Sequence, residues 1–205
     1  MISLLKLLNE ESKFFVPERS REERRERRKL QDFKKIQNYI RNGSVGHLDL
    51  PGLSIENLPS NLTVVGGDFI IHKLNTTELP KNLKLIKGDL VMTKTFIKYL
   101  PENLYILKDL YAYRSALTSL PEGLKVDGSA YLSQSDLDLL GDNITIGGDL
   151  VISYTFVSTL PDNLNIGGNF KVEETPLSKR YKYKEDKILD TILKQGGSIG
   201  GRVLL

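Results

Sequence analysis

The 205-residue chain contains no Cys and no Trp, and only two His and two Met. Without Cys it can form no disulfide, no zinc-thiolate cluster, no thiol nucleophile and no redox couple, which fits a reducing compartment such as the bacterial cytoplasm. No stretch approaches the ~20 consecutive apolar residues that a membrane-spanning helix needs, so no membrane span is expected. The apolar start carries Lys6, runs into Asn9, Glu10 and Glu11 and lacks a small-residue cleavage site, so no secretory signal is expected either. What remains is 40% hydrophobic and 27% charged, the balance of a folded soluble chain long enough for one sizeable domain.

The net charge of +3 is unevenly placed. Residues 1–43 carry +5, residues 44–178 carry −6 and residues 179–205 carry +4. Those boundaries coincide with changes of pattern and divide the chain into a basic helical N-terminal arm, a central body and a basic C-terminal segment.

The central body is a repeat. Leu-Pro recurs at Leu58-Pro59, Leu79-Pro80, Leu100-Pro101, Leu120-Pro121 and Leu160-Pro161, with Leu140-Gly141 filling the vacancy, at spacings of 20 or 21 residues. Apolar pairs separated by one residue, such as Leu90 and Met92, Leu110 and Ala112, Leu150 and Ile152, alternate as short strands do. Leu104, Leu107, Leu117 and Leu120 are expected to point into the same interior from the returning arc. One unit cannot bury these residues alone; about seven, stacked at ~4.8 Å, make a continuous parallel-sheet core. Arg202-Val203-Leu204-Leu205 repeats the strand pattern and predicts a final strand.

Other columns carry turn chemistry. The pairs Gly66-Gly67, Gly147-Gly148 and Gly167-Gly168 mark a turn that needs either positive φ or close backbone approach. Asn61, Asn82, Asn103, Gly123, Asn143 and Asn163 share a column expected to end a helical turn in the left-handed conformation. Thr95, Ser115, Ser135, Thr155 and Thr175 form a hydroxyl column expected to satisfy backbone groups of neighbouring coils.

The order Leu107, Leu110, Ala112, Ser115, Leu117, Leu120, Pro121 resembles the leucine-rich repeat family, in the short bacterial form of the YopM and IpaH effectors. Ser or Thr stands where those repeats carry Asn, and a Gly-Gly-Asp turn precedes the strand. That variant looks like the repeat-containing proteins of tailed bacteriophages, as does the closing Thr175-Pro176-Leu177-Ser178-Lys179. The resemblance implies a leucine-rich-repeat-like solenoid with its parallel β-sheet on the concave face, a helical N-terminal cap, and a short helix plus strand as C-terminal cap. IpaH effectors act through a Cys in a separate ligase domain, a chemistry that a chain without Cys cannot perform.

At the N-terminal side, Ser20 and Glu23 form a capping-box signature and Gly43 a stop, predicting a helix over 21–42. Its second half has the apolar stripe Leu30, Phe33, Ile36, Tyr39 and Ile40, suited to covering the first coil. Its first half offers Arg21, Arg24, Arg25, Arg27, Arg28 and Lys29, interleaved with Glu22, Glu23 and Glu26, a candidate surface for nucleic acid or an acidic partner. Residues 2–16 are expected to form a short helix or a docking peptide, and 184–194 a short helix.

No catalytic set is visible. His47 and His72 hold non-equivalent positions, and Asp68, Asp89, Asp109 and Asp149 recur with the repeat, which points to turn capping rather than to a metal. The segment 196–202 is Gly-rich but lacks the Lys-Ser/Thr of a phosphate-binding loop. Neither metal nor cofactor nor enzymatic activity is expected. The outward strand row Asp49, Ile70, Val91, Tyr111, Tyr131, Val151 and Lys171, with Tyr113, Arg114 and Tyr154 beside it, is instead an aromatic strip suited to a protein partner. These features point to a phage-encoded protein-interaction module acting on a host or viral protein, with a virion component as the alternative.

Overall fold

In the computed structural model, residues 20–51, 58–72 and 76–205 are described; the expectation for residues 2–16 lies outside them. The chain is a parallel β-solenoid of about six turns. A coil contributes a strand to each of two parallel ladders. The first sheet has eight strands, Leu48–Pro51, Phe69–His72, Leu90–Val91, Leu110–Tyr111, Ala130–Tyr131, Leu150–Val151, Phe170–Lys171 and Val203–Leu204. The second has seven, Val64–Val65, Leu85–Ile86, Tyr105–Ile106, Lys125–Val126, Thr145–Ile146, Asn165–Ile166 and Ser198–Ile199. Among the described residues, strands on the returning arc pair only locally, Ser119–Leu120 with Leu139–Leu140, together with a bridge from Glu78 to Tyr99.

Sequence reasoning placed one strand in each unit and a helical turn on the return. The second sheet replaces that picture: the apolar residue before the Gly pair belongs to a strand, and no helix forms in the Asn column. The chain turns there at Pro-x-Asn, with the Leu83 amide donating to Pro80 O at 2.9 Å and Leu62 to Pro59 O at 3.1 Å. Asn103, Gly123, Asn143 and Asn163 do adopt positive φ, between 54 and 68°. The left-handed assignment therefore holds at those four positions without the helix, and not at Asn61 and Asn82, which keep negative φ.

Because inward residues lie one above another, the core is a set of apolar columns. In one coil Leu104, Ile106, Leu110, Ala112, Leu117 and Leu120 are all buried. Leu107 is not among them; it occupies the corner between the two sheets, in the column of the first Gly of each pair, and is half-exposed. Each fully buried Leu or Ile contributes about 1.5–3 kcal/mol, and stacking is what makes that burial available to a coil too thin to form its own interior.

Helix α1 (Arg21–Arg41) begins with the anticipated capping box, the Glu23 amide donating to Ser20 Oγ at 3.1 Å and the Ser20 amide to Glu23 Oε2 at 3.0 Å. Its end at Gly43 follows from positive φ, 81°, which lets the Ser44 amide reach Tyr39 O at 3.0 Å. Ile36 is buried in the core cluster. Tyr39 Oη lies 3.0 and 2.9 Å from the carbonyl oxygens of Ser44 and Gly46 and accepts from the Gly66 amide at 2.9 Å. Burial of that phenol pushes its pKa up. At the other end α2 (Pro176–Arg180) and α3 (Glu185–Lys194) sit within the last turn, α3 burying Ile188 and Ile192 before the chain returns to both sheets. No helix among the described residues is long and apolar enough to cross a membrane.

Candidate interaction surface

The first sheet sets the geometry of the candidate face. Its register pairs Asp49 with Ile70, Ile70 with Val91, Val91 with Tyr111, Tyr111 with Tyr131, Tyr131 with Val151 and Val151 with Lys171. The outward residues named from the repeat thus form one unbroken row, continued by Leu204. Tyr111 and Tyr131 stack with ring centroids 5.2 Å apart and planes 11° apart. Strand spacing and ring thickness make this arrangement favourable, and it leaves the ring edges outward while each ring covers a face of the other. Tyr154 is 53% exposed and stands in the turn that follows the strand, in the same column as Arg114 two coils earlier, with Tyr113 one residue before Arg114.

Two side-chain systems hold this row in place. The first is the strand-start column. Asp68 Oδ1 accepts from the Asp89 amide at 2.9 Å, Asp89 from Asp109 at 3.0 Å, Asp109 from Ser129 at 2.7 Å and Ser129 Oγ from Asp149 at 3.0 Å. Asp149 then accepts from Asn169 at 2.7 Å and Asn169 from Arg202 at 3.1 Å. The acidic column is therefore a staple from each coil to the next, its side chains accepting backbone amides at the turn into the strand. Among the described residues no group of three or more His, Cys, Asp or Glu is arranged to hold a metal ion.

His47 begins the series, its Nδ1 2.9 Å from the Asp68 amide and 3.0 Å from Asp68 Oδ2. The two contacts exclude one another, since a bare Nδ1 accepts from the amide and a protonated one donates to the carboxylate. Asp109 also accepts from Tyr111 Oη at 2.8 Å, and this carboxylate beside the phenol raises the Tyr111 pKa from 10.0 to about 12.

The staple explains Gly128 and the second Gly of two pairs, Gly148 and Gly168, whereas Gly67 lies against backbone atoms of Gly46 and His47. A Cβ on Gly128 would lie 2.1 Å from Asp109 Oδ1, and one on Gly168 would lie 2.4 Å from Asp149 Oδ1. Neither Gly has positive φ, so of the two reasons the sequence allowed, close approach is the one that applies.

The second system is the hydroxyl column. Thr95, Ser115, Ser135, Thr155 and Thr175 are buried, and each hydroxyl donates to the carbonyl three residues back in its own coil, at 2.6 to 2.8 Å. The expectation that they serve neighbouring coils is thereby corrected. They close a turn whose third residue, Lys94, Arg114, Gln134, Tyr154 or Glu174, has φ between 52 and 60°. This second left-handed column was not recognisable in sequence because its five described members include neither Gly nor Asn.

Within it Arg114 Nε donates to Gln134 Oε1 at 2.7 Å, Tyr113 Oη donates to the same oxygen at 3.0 Å, and the guanidinium lies 5.0 Å from the Tyr113 ring centroid. The structure therefore brings Tyr111 and Tyr131 together, and Tyr113, Arg114 and Gln134 beside them. Gln134 is the member that the sequence did not single out as a site.

The basic residues of α1 lie apart from this row. Arg21, Arg24, Arg25 and Arg28, spaced i, i+3, i+4 and i+7, line one shallow depression, whereas Lys29 pairs with Glu26 at 3.0 Å. Arg27 is exposed and outside the depression. No family model, no curated protein and no solved structure matches the chain.

Proposed function

We propose that the chain is a non-enzymatic protein-binding module of leucine-rich-repeat-like character, its end helices capping the coils. In this reading it is phage-encoded, acts in the bacterial cytoplasm, and engages a host or viral protein through the first sheet; inhibition of a host system is one use of such a contact. The observation that carries it is the unbroken outward row Ile70, Val91, Tyr111, Tyr131 and Val151. Packing inside the solenoid does not require aromatic groups on that side, and Tyr provides large contact area with little rotamer entropy to lose. Pull-down from a bacterial lysate with wild type and a Tyr111→Ala, Tyr131→Ala variant tests it, with circular dichroism to verify that both are folded. Recovery of a partner by the wild type and its loss in the variant is expected; equal recovery refutes the proposal.

A second reading rests on the arginine face of α1. Arg21, Arg24, Arg25 and Arg28 on one face suit RNA phosphates or an acidic protein surface. Changing these four to Gln should weaken RNA binding and flatten its salt dependence; an unchanged salt slope in fluorescence anisotropy removes this reading. A virion component is the remaining alternative, and mass spectrometry of purified particles decides it.

A further inference from the structure

The coils pass through the left-handed region in two columns, and the chain fills them differently. One column is Asn103, Gly123, Asn143 and Asn163, residue types for which positive φ is easy. The other is Lys94, Arg114, Gln134, Tyr154 and Glu174, where crowding of Cβ against the carbonyl disfavours an ordinary side chain. The first column serves the stack itself, Asn163 Nδ2 donating to Asn143 Oδ1 at 2.9 Å, whereas the five described positions bordering the Tyr row carry longer side chains on a backbone that disfavours them, which makes those side chains available for contacts beyond the coil.

Arg114 shows what such a contact is. Its Nε is tied to Gln134 Oε1, its face rests on Tyr113, and Tyr113 Oη fixes the same Gln134 oxygen. Gln134 is uncharged, so it orients the guanidinium without neutralising it. The two Nη groups donate to nothing among the described residues, and the side chain is exposed. A guanidinium held by its Nε and one face presents a fork that matches a planar oxyanion bidentately. Lys94, one coil earlier in the column, makes no ion pair among the described residues and adds positive field.

We infer that Arg114, oriented by Gln134 and Tyr113, receives a carboxylate side chain of the partner protein at the border of the Tyr111–Tyr131 row. This rests on the protein-binding reading and names the chemistry of its partner: an acidic residue set beside an apolar one. A phosphodiester strand suits the place less. Residues 44–178 carry −6, and Asp68, Asp89, Asp109 and Asp149 line the opposite border of the row, so an extended polyanion meets repulsion that a single carboxylate avoids.

The test uses the full-length protein labelled with nitrogen-15, following arginine Nε–Hε resonances, with the Arg114 resonance assigned by its absence in Arg114→Lys. The probes are the acetylated dipeptide amide Leu-Glu, its neutral analogue Leu-Gln, and an oligothymidylate. The Arg114 resonance should stand apart from those of freely rotating arginines and shift saturably with Leu-Glu but not with Leu-Gln. Gln134→Ala should return it to the freely rotating group and weaken the response several-fold. Arg114→Asn should leave the thermal midpoint equal or higher, because Asn relieves the left-handed strain.

An Arg114 resonance indistinguishable from the mobile ones, or one that responds equally to Leu-Gln, overturns the inference. So does a stronger response to oligothymidylate than to Leu-Glu. If a captured partner is lost with Tyr111→Ala, Tyr131→Ala but kept by Arg114→Asn, the carboxylate contact falls and the binding face stands. The reverse pattern removes the Tyr row and keeps Arg114.

Discussion

Replacing Asp109 by Ala removes two acceptors at once. Oδ1 takes the Ser129 amide of the next coil at 2.7 Å, and Oδ2 takes Tyr111 Oη at 2.8 Å. The half-buried Ser129 amide loses its partner, which costs about 1–3 kcal/mol. The Tyr111 hydroxyl, near the surface, can turn to water, so its contribution is discounted to about 0.5 kcal/mol. A total near 2 kcal/mol is expected, lowering the thermal midpoint by about 4–8 °C for a chain of this size. Urea unfolding followed by far-UV circular dichroism measures it, and a loss below about 0.5 kcal/mol, the range of an ordinary surface substitution, would refute the staple.

A pH series separates the two bonds. The folded-state pKa of Tyr111 is raised, from 10.0 to about 12, so the protonated phenol is the stabilising form. Its contribution is complete below pH 10 and is lost as pH rises through about 12. The stability difference between wild type and Tyr111→Phe should therefore be flat up to pH 10 and fall above it. In Asp109→Ala, tyrosinate absorbance should show the Tyr111 titration moving back toward 10; an unmoved titration refutes the carboxylate as its cause.

Gly128→Ala places a Cβ 2.1 Å from Asp109 Oδ1 and 2.8 Å from Lys108 O, so it should destabilise by about 1–3 kcal/mol, and less in an Asp109→Ala background; additivity in the double-mutant cycle contradicts this. Lys94→Asn, at a residue with φ 57°, should gain about 0.5–1 kcal/mol in urea unfolding, and a loss would show that the left-handed turn carries no strain. Thr155→Val keeps shape but leaves Ile152 O without the buried hydroxyl at 2.7 Å, an expected cost of about 1–2 kcal/mol. Tyr39→Phe should cost about 1–3 kcal/mol by unpairing the Gly66 amide, with hydrogen exchange at Gly66 accelerated; unchanged exchange refutes the bridge.

Legibility in the sequence followed the kind of interaction involved. Alternation at Leu110 and Ala112, or Leu150 and Ile152, identified the first sheet and its outward row, because a residue's neighbours in a stacked coil are its own repeat equivalents. The second sheet was hidden: Tyr105–Ile106 and Lys125–Val126 are two-residue strands, too short for an alternation pattern. Leu107 went wrong for a related reason, an apolar residue at a corner being indistinguishable by spacing from one that points inward.

The candidate face was half-legible. Tyr111, Tyr131 and Arg114 followed from register. The role of Gln134 depends on a hydrogen bond reaching from the next coil, which residue type does not announce.

By itself the sequence determined the period, the parallel stacking, the capping box at Ser20, the final strand at 203–204 and the absence of thiol chemistry. Each of these depends only on local pattern or composition. The tertiary structure decided the rest: that the Asp column is a staple between coils, that Gly128 and Gly168 answer to a neighbour's carboxylate rather than to φ, and that Lys94 through Glu174 turn left-handed without Gly. Those are contacts between residues about twenty positions apart or conformations held by a buried hydroxyl, and only stacking the coils brings such groups within hydrogen-bonding distance.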